Sequence, residues 1–348
     1  MTTEYQRFAL RCQACGQRSR VAWADEASEG WFGPRLKATI AYLTGRLNLS
    51  HRDVVEALTE LFGIKIAVGS IAAVQRRVSR VLIAPVAQLQ QLVEDASVIY
   101  VDETTWRQKD KQPWLWVSAS EKATVFQILS GRKTTDAQAM IGENARAIIT
   151  TDRYPGYNYL DGQHRQICWA HLKRDFAAIA ERDADSKATG EGLLAETKRV
   201  FELWRRVRDG TLARAAFELA IEPIRQEIKQ LLIKGTSLSH SKTRNTCTNI
   251  LRLEASLWSF VKVEAVEPTN NAAERALRRA VVWRRTSFGT QSEAGSRFVA
   301  RILTVVTTLG QQRRSVLEFL TKACQTSIRD NGGADVRGRR TRSVAQFG

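Results

Sequence analysis

Two apolar runs in this chain each end in an aspartate. SVIYVDETTW, Ser97 to Trp106, is β-branched and aromatic and carries the adjacent acids Asp102 and Glu103, while AIITTDRYPGYNYL reaches Asp152 just before a Tyr-Pro-Gly turn. Ionised carboxylates are seldom buried at a strand end unless they are paired or bind a metal. A third acid, Glu274, lies in the first turn of the helix that EPTNNAAERALRRAVVWRR predicts, with Arg275, Arg278 and Arg279 directly after it. Carboxylate oxygens are the ligands that Mg²⁺ takes, usually one or two per ion, with water and phosphate filling the other positions. Two such ions about 4 Å apart suit an in-line displacement at phosphorus. An aspartate that closes a strand is more often a turn residue than a ligand, so the joint placement of Asp102, Asp152 and Glu274 carries this reading.

The elements around these acids follow from pattern. After the first run, RQKDKQ makes a turn, and WLWVSAS and ATVFQILSG read as two further strands of an antiparallel meander. KTTDAQAMIGENA then has helical spacing and leads into the run that ends in Asp152. A helix between two strands is the crossover of a parallel pair, which sets Asp102 and Asp152 side by side. Strand side chains alternate, so Asp102 and Glu103 point to opposite faces and only one can join Asp152. Asp102 is assigned to the site and Glu103 to a supporting or structural role. A fifth run, RQICWAH, passes into the helix LKRDFAAIAER, and from about Asp175 to Val263 the sequence is amphipathic and helical with no strand signal, as in an all-helical insertion. Asn270 or Asn271 can cap the helix that carries Glu274. The fold class expected is therefore α/β, a mixed five-stranded sheet with a helical insertion.

The 348 residues carry a formal charge of +17, with a pI near 10.1, which points to a polyanionic partner, nucleic acid first. No apolar run reaches the ~18 residues of a spanning helix and no signal peptide opens the chain, so a cytoplasmic, nucleoid-associated location and no membrane partner are expected. Five scattered cysteines do not make a disulfide framework. Between Arg35 and Pro85 three helical segments follow one another, the second capped by Ser50 with Asp53 three residues on, the third starting near Ser70 and carrying Arg76, Arg77 and Arg80. With eight basic residues against three acids, this region reads as a helix-turn-helix that contacts DNA, ahead of a packing module with solvated arginines. From Arg275 to Arg314 nine arginines face a single acid, Glu293, which makes Arg275, Arg278 and Arg279 the second set of candidate DNA contacts.

Cys12 and Cys15 form a C-x-x-C knuckle. Half of a zinc ribbon and a pair of unliganded thiols are both open, with the thiols ahead because no second pair or nearby His completes four ligands. His171, between Trp169 and Leu172, is read as structural ahead of a role in orienting phosphate. Trp106, Trp114 and Trp116 are read as packing residues, with base stacking by Trp106 as the alternative.

The runs VDETTW, TTDRYPGY, CWAHLKRDF and NNAAERALR together resemble the transposases of the IS66 insertion-sequence family, over about Arg7 to Cys324. The resemblance implies a DDE transposase with a ribonuclease-H-like catalytic domain. Asp102, Asp152 and Glu274 are then the catalytic acids, holding two Mg²⁺ or Mn²⁺ ions for DNA strand cleavage and strand transfer. Family members usually carry a longer N-terminal region with a four-cysteine zinc module, of which Cys12 and Cys15 match the second pair. Double-stranded DNA, further copies of the chain and accessory proteins of the same element are the implied partners. The expected organisation is a partial zinc-knuckle-like N-terminus and linker at 1–33, a helix-turn-helix region and connector at 34–96, and a catalytic domain at 97–175 plus 264–325. The helical insertion occupies 176–263, and a basic disordered tail follows at 326–348. A non-enzymatic DNA-binding protein or truncated element product is the alternative function, and a nuclease without strand transfer shares the same site.

Overall fold

The computed structural model describes residue 6 and residues 8–20, 32–142 and 146–332. In chain order these form β1 (Ala9–Arg11), β2 (Arg18–Arg20), α1 (Pro34–Gly45), α2 (His51–Phe62), α3 (Val68–Val81), α4 (Ile83–Glu94), β3 (Val98–Thr105), β4 (Trp114–Ala119), β5 (Thr124–Leu129), α5 (Thr134–Ile141), β6 (Ile148–Thr151) and β7 (Arg165–Ile167). There follow α6 (Trp169–Ala180), α7 (Ala184–Arg208), α8 (Arg214–Thr236), α9 (Ser241–Leu251), α10 (Ser259–Lys262), α11 (Asn271–Ser287), α12 (Glu293–Gln311) and α13 (Val316–Gly332). The acidic linker ADEASEG and the tail beyond residue 332 lie outside the described residues; α13 itself runs on to Gly332, into the segment whose composition suggests a tail.

The chain divides into two compact units, Met1–Gln88 with Glu293–Gly348, and Leu89–Ser292. In the first, α1 packs on α3 and α13, and α12 packs on α3. The bounds of α2 have a local basis. Ser50 accepts from the Asp53 amide (3.2 Å) while Asp53 accepts from the Ser50 amide (3.1 Å), a capping box that starts α2. Gly63 ends α2 in the left-handed conformation (φ 65°), a turn that a residue with a Cβ adopts at a cost. The third helix begins at Val68, ahead of the expected Ser70. One organisational expectation changes. The sequence pattern assigns 264–325 whole to the catalytic domain, but α12 and α13 belong to the first unit, because their apolar faces (Ile302, Leu303, Val306 and Leu320 among the buried residues) are matched by α1 and α3. A pattern of apolar spacing shows that a helix has a buried face and not which helix covers it.

The second unit is built on a five-stranded sheet of order β5-β4-β3-β6-β7. The meander β3-β4-β5 is antiparallel, and β6 and β7 are parallel to β3, with α5 as the crossover between β5 and β6. This matches the strand sequence expected from pattern. Helix α11 lies on β3 and β4. Helices α6 to α9 pack consecutively, each on the next.

The edge strand β7 would expose unpaired backbone groups. The segment returning from α9 covers it: Ser259 Oγ donates to Arg165 O (2.8 Å), the Gln166 side chain donates to Leu257 O (3.0 Å) and accepts from Phe260 N (2.9 Å), and Trp169 Nε1 donates to Leu257 O (2.8 Å). Trp169, Trp204, Phe217, Trp258 and Phe260 form a continuous edge-to-face and tilted cluster beneath it. The helical segment is thus joined to the sheet at β7 by both hydrogen bonds and aromatic packing.

Close helix packing makes a prediction. A Cβ on Gly190 of α7 would lie 2.4 Å from the Ala180 backbone nitrogen, whereas one on Gly310 of α12 would meet nothing within 4 Å. Gly190→Ala should lower stability by about 1–3 kcal/mol through overpacking against backbone that cannot give. Gly310→Ala should be neutral or stabilising by up to about 1 kcal/mol. Urea midpoints of the two variants check both signs.

Candidate active site

The register of β3 and β6 pairs Tyr100 with Thr150, so Asp102 and Asp152 each stand two residues beyond the same rung of a parallel pair. Asp102 Oδ1 accepts from the Glu103 amide (2.9 Å), and Asp152 Oδ1 accepts from the Tyr154 amide (2.9 Å), which turns the chain away after β6. Arg165 fixes that turn from beneath. It is buried, and its guanidinium donates to Thr151 Oγ1 (3.0 Å), Asn158 Oδ1 (3.1 Å) and Asp152 O (3.0 Å). Burial brings its pKa down to about 10.

Glu274 arrives from α11. Of the two candidate caps, Asn270 is the N-cap residue, but its side chain makes no capping bond. Instead the buried Asn270 Nδ2 donates to Val101 O (2.7 Å), next to Asp102, and its amide donates to Cys168 Sγ (3.2 Å). The Trp169 amide donates to Pro268 O (2.8 Å). The start of α11 is therefore held against both β3 and the start of α6. At its far end Arg284 donates to Thr104 Oγ1 (2.9 Å) and Thr105 Oγ1 (2.6 Å), so α11 is tied to β3 on either side of Glu274.

The three acids share one electrostatic neighbourhood. Burial, first, and then the nearby Glu103 charge push the Asp102 carboxyl up to about 7, with Asp152 and Glu274 raising it further against the Glu103 amide bond. Glu103 faces the other way and is engaged by Arg132 Nε (2.5 Å) and by the Tyr157 hydroxyl. Burial raises its pKa against both of those partners. Arg132 also reaches Asp152 (3.5 Å) and lies over the Tyr154 ring (3.6 Å to the centroid), so it links the two carboxylates across the end of the sheet. Arg132, Tyr157 and Arg284 have no signal in the sequence, since each acts on a residue far away along the chain.

Among the described residues, the set of potential metal ligands whose atoms lie within 4.8 Å of one another is Cys168, His171 and Glu274. His171 Nδ1 stands 3.7 Å from Glu274 Oε1. Arg275 and Arg278 are exposed on α11, and Arg279 is partly buried. Arg76, Arg77 and Arg80 are exposed on α3 in the other unit, opposite the buried Ile71, Val74 and Val78. Base stacking by Trp106 is ruled out by its burial: it is 0 % exposed and its Nε1 donates to Thr290 Oγ1 (3.2 Å). Trp116 is likewise buried, and Trp114 lies under Arg132. Cys12 and Cys15 are exposed at the tip of the β1–β2 hairpin, where amides of Cys15 and Ala14 hold the Cys12 thiol below its usual range; no other described residue joins them as a ligand.

A mixed sheet of this order, followed by a helical segment and by a helix laid back across β3, is consistent with a ribonuclease-H-like transposase fold. Residues 29–297 match the transposase IS66 family, and the chain belongs to that family. It is also 25% identical over 265 residues to an uncharacterized protein, y4qI, of Sinorhizobium fredii (strain NBRC 101917 / NGR234). That match covers 66% of this chain and 48% of the relative, so the chain spans about half the length of that curated protein. No helix among the described residues is long and apolar enough to cross a membrane.

The raised Asp102 carboxyl sets a pH dependence. Its folded pKa, about 7, lies above the ordinary 3.8, so the folded protein holds the proton more tightly and the contribution of Asp102 to stability falls as pH rises between those values. In metal-free buffer Asp102→Asn should melt higher than the natural sequence, by a margin that grows from 3.8 to about 7 and is level above. A margin independent of pH would contradict the assignment.

Proposed function

We propose that this protein is a DNA transposase that cleaves and joins DNA strands by a metal-dependent DDE mechanism, with Asp102, Asp152 and Glu274 as its catalytic acids. The observation that carries the reading is the common rung of β3 and β6 below Asp102 and Asp152, with Glu274 clamped to the same strand through Asn270 and Val101. Family membership supports the same class of activity.

The residues fit divalent cations. Asp102 and Asp152 offer hard oxygen ligands, and burial, then the nearby Glu103 and Asp152 charges, raise the Asp102 carboxyl. A cation between the two aspartates would offset the charge repulsion there. Two Mg²⁺ or Mn²⁺ ions held there supply activation of the attacking oxygen and neutralisation of the leaving one. The chain's own contribution is placement: Arg132 and the Tyr154 amide orient Asp152, and the Asn270 and Arg284 clamps orient Glu274. Water is the first nucleophile, breaking a P–O3′ bond to free a 3′ hydroxyl at an element end, and that hydroxyl then attacks a target phosphodiester and displaces the target strand's own 3′ oxygen as a hydroxyl. No covalent protein intermediate is required. Arg275, Arg278 and Arg279 beside Glu274 hold the phosphodiester backbone, and Arg76, Arg77 and Arg80 on α3 bind the element end. Joining two ends calls for at least two copies of the chain on DNA.

Asp152→Asn should reduce cleavage and joining of labelled element-end DNA by at least about a hundredfold in Mg²⁺ or Mn²⁺ while leaving DNA binding intact. Full activity in that variant, or a shifted band with no cut product from the natural sequence, would sink the proposal. Replacing Arg76 and Arg80 by alanine should lower the slope of log affinity against log salt by about 0.9 for each phosphate no longer neutralised. An unchanged slope would remove α3 from the DNA interface.

A further inference from the structure

The first turns of α6 and α11 bring together three side chains of different chemistry. Cys168 precedes α6, His171 lies in its first turn, and Glu274 lies in the first turn of α11; the sulfur, an imidazole nitrogen and a carboxylate oxygen are within 4.8 Å of one another. The meeting is fixed by backbone. The Trp169 amide on Pro268 O, the Asn270 amide on Cys168 Sγ and Asn270 Nδ2 on Val101 O clamp the two helix starts against each other and against β3.

Two of the three ligand atoms lack partners. His171 Nδ1 and Glu274 Oε1 are both buried, neither makes a hydrogen bond, and they lie 3.7 Å apart. A buried polar atom without a partner calls for an explanation, and here two of them lie together beside a thiol. A tetrahedral zinc with bonds of about 2.0–2.1 Å to nitrogen and oxygen sets those atoms about 3.4 Å apart. The observed spacing is close to that edge. Three protein ligands of mixed nitrogen, sulfur and oxygen type, with a position left open, are a set that zinc takes and Mg²⁺ does not.

We propose that Cys168, His171 and Glu274 form a site for a borderline-soft divalent cation of the zinc class, separate in ligand chemistry from the hard oxygens of Asp102 and Asp152. The cation pins the starts of α6 and α11 together through Glu274 Oε1 and leaves the second carboxylate oxygen of Glu274 for the acid centre. The binding site stands on its own geometry; only its consequence for strand cleavage rests on the function proposed above. Thiolate coordination displaces the Cys168 proton to solvent, so binding releases a proton.

Cobalt(II), which reports thiolate coordination by a charge-transfer band, tests the site in the full chain carrying Cys12→Ser and Cys15→Ser, so that the exposed thiol pair cannot contribute. One equivalent of Co²⁺ should produce the band, Zn²⁺ should abolish it, and Mg²⁺ in large excess should not. Cys168→Ser should remove the band, and His171→Ala, at a partly exposed position that keeps the test available if the buried cysteine variant does not fold, should weaken Co²⁺ binding at least about tenfold. Asp102→Asn should leave it unchanged, so failure of this site and failure of the catalytic reading give different results. Absence of the band in the doubly substituted chain, its survival in Cys168→Ser, undiminished binding in His171→Ala, or its loss in Asp102→Asn would each overturn the proposal and leave His171 and Glu274 as an isolated polar pair.

Discussion

A single side-chain amide, Asn270 Nδ2 on Val101 O, sets where the end of the sheet meets the helix that carries Glu274. Together with the Asn270 amide on Cys168 Sγ, it fixes the start of α11 against both β3 and α6. It is fully buried, it joins residues far apart in sequence, and it anchors the first turn of α11 beside the strand position that carries Asp102. The Arg284 bonds to Thr104 and Thr105 secure the same helix further along, so Glu274 sits on a helix fixed at two points. A buried amide satisfied by backbone resists displacement, because breaking it leaves the carbonyl unpaired away from water.

Fixing the elements is needed because the site is electrostatically unfavourable. Burial and neighbouring acids work against ionised Asp102, while fixed groups on the opposite face of β3 engage the adjacent Glu103. Glu103 is neutralised by Arg132 and hydrogen-bonded by Tyr157, and the same guanidinium reaches Asp152. One strand thus delivers a carboxylate to each face, one left short of counter-charge and the other paired. This division of roles follows from strand alternation and from the placement of Arg132 against Glu103 and Asp152.

The helical segment between α6 and α11 contributes in a less direct way. Its returning end covers the β7 edge through Leu257, Ser259 and Phe260, and the chain then passes through Pro268 into α11. The path that closes the sheet edge is therefore the path that delivers Glu274. Damage to the aromatic cluster around Trp169 and Phe260 would loosen the anchor of α11 as well as the edge.

The five strands, their order in the chain, the crossover before Asp152 and the long helical stretch are legible in the sequence because each depends on local periodicity and turn chemistry. The capping box at Ser50 and Asp53 is legible for the same reason. Candidate acids can be proposed from position at the ends of those elements. Four things are settled only by tertiary structure: that α12 and α13 pack with α1 and α3, that Asn270 bonds to the sheet and does not cap its own helix, that Arg132 serves Glu103 and Asp152 together, and that Cys168 and His171 meet Glu274. The reason is common to all four. A side chain's type and period state what it can bind or bury, while the partner that satisfies it lies across the fold and is chosen by how the elements close on one another.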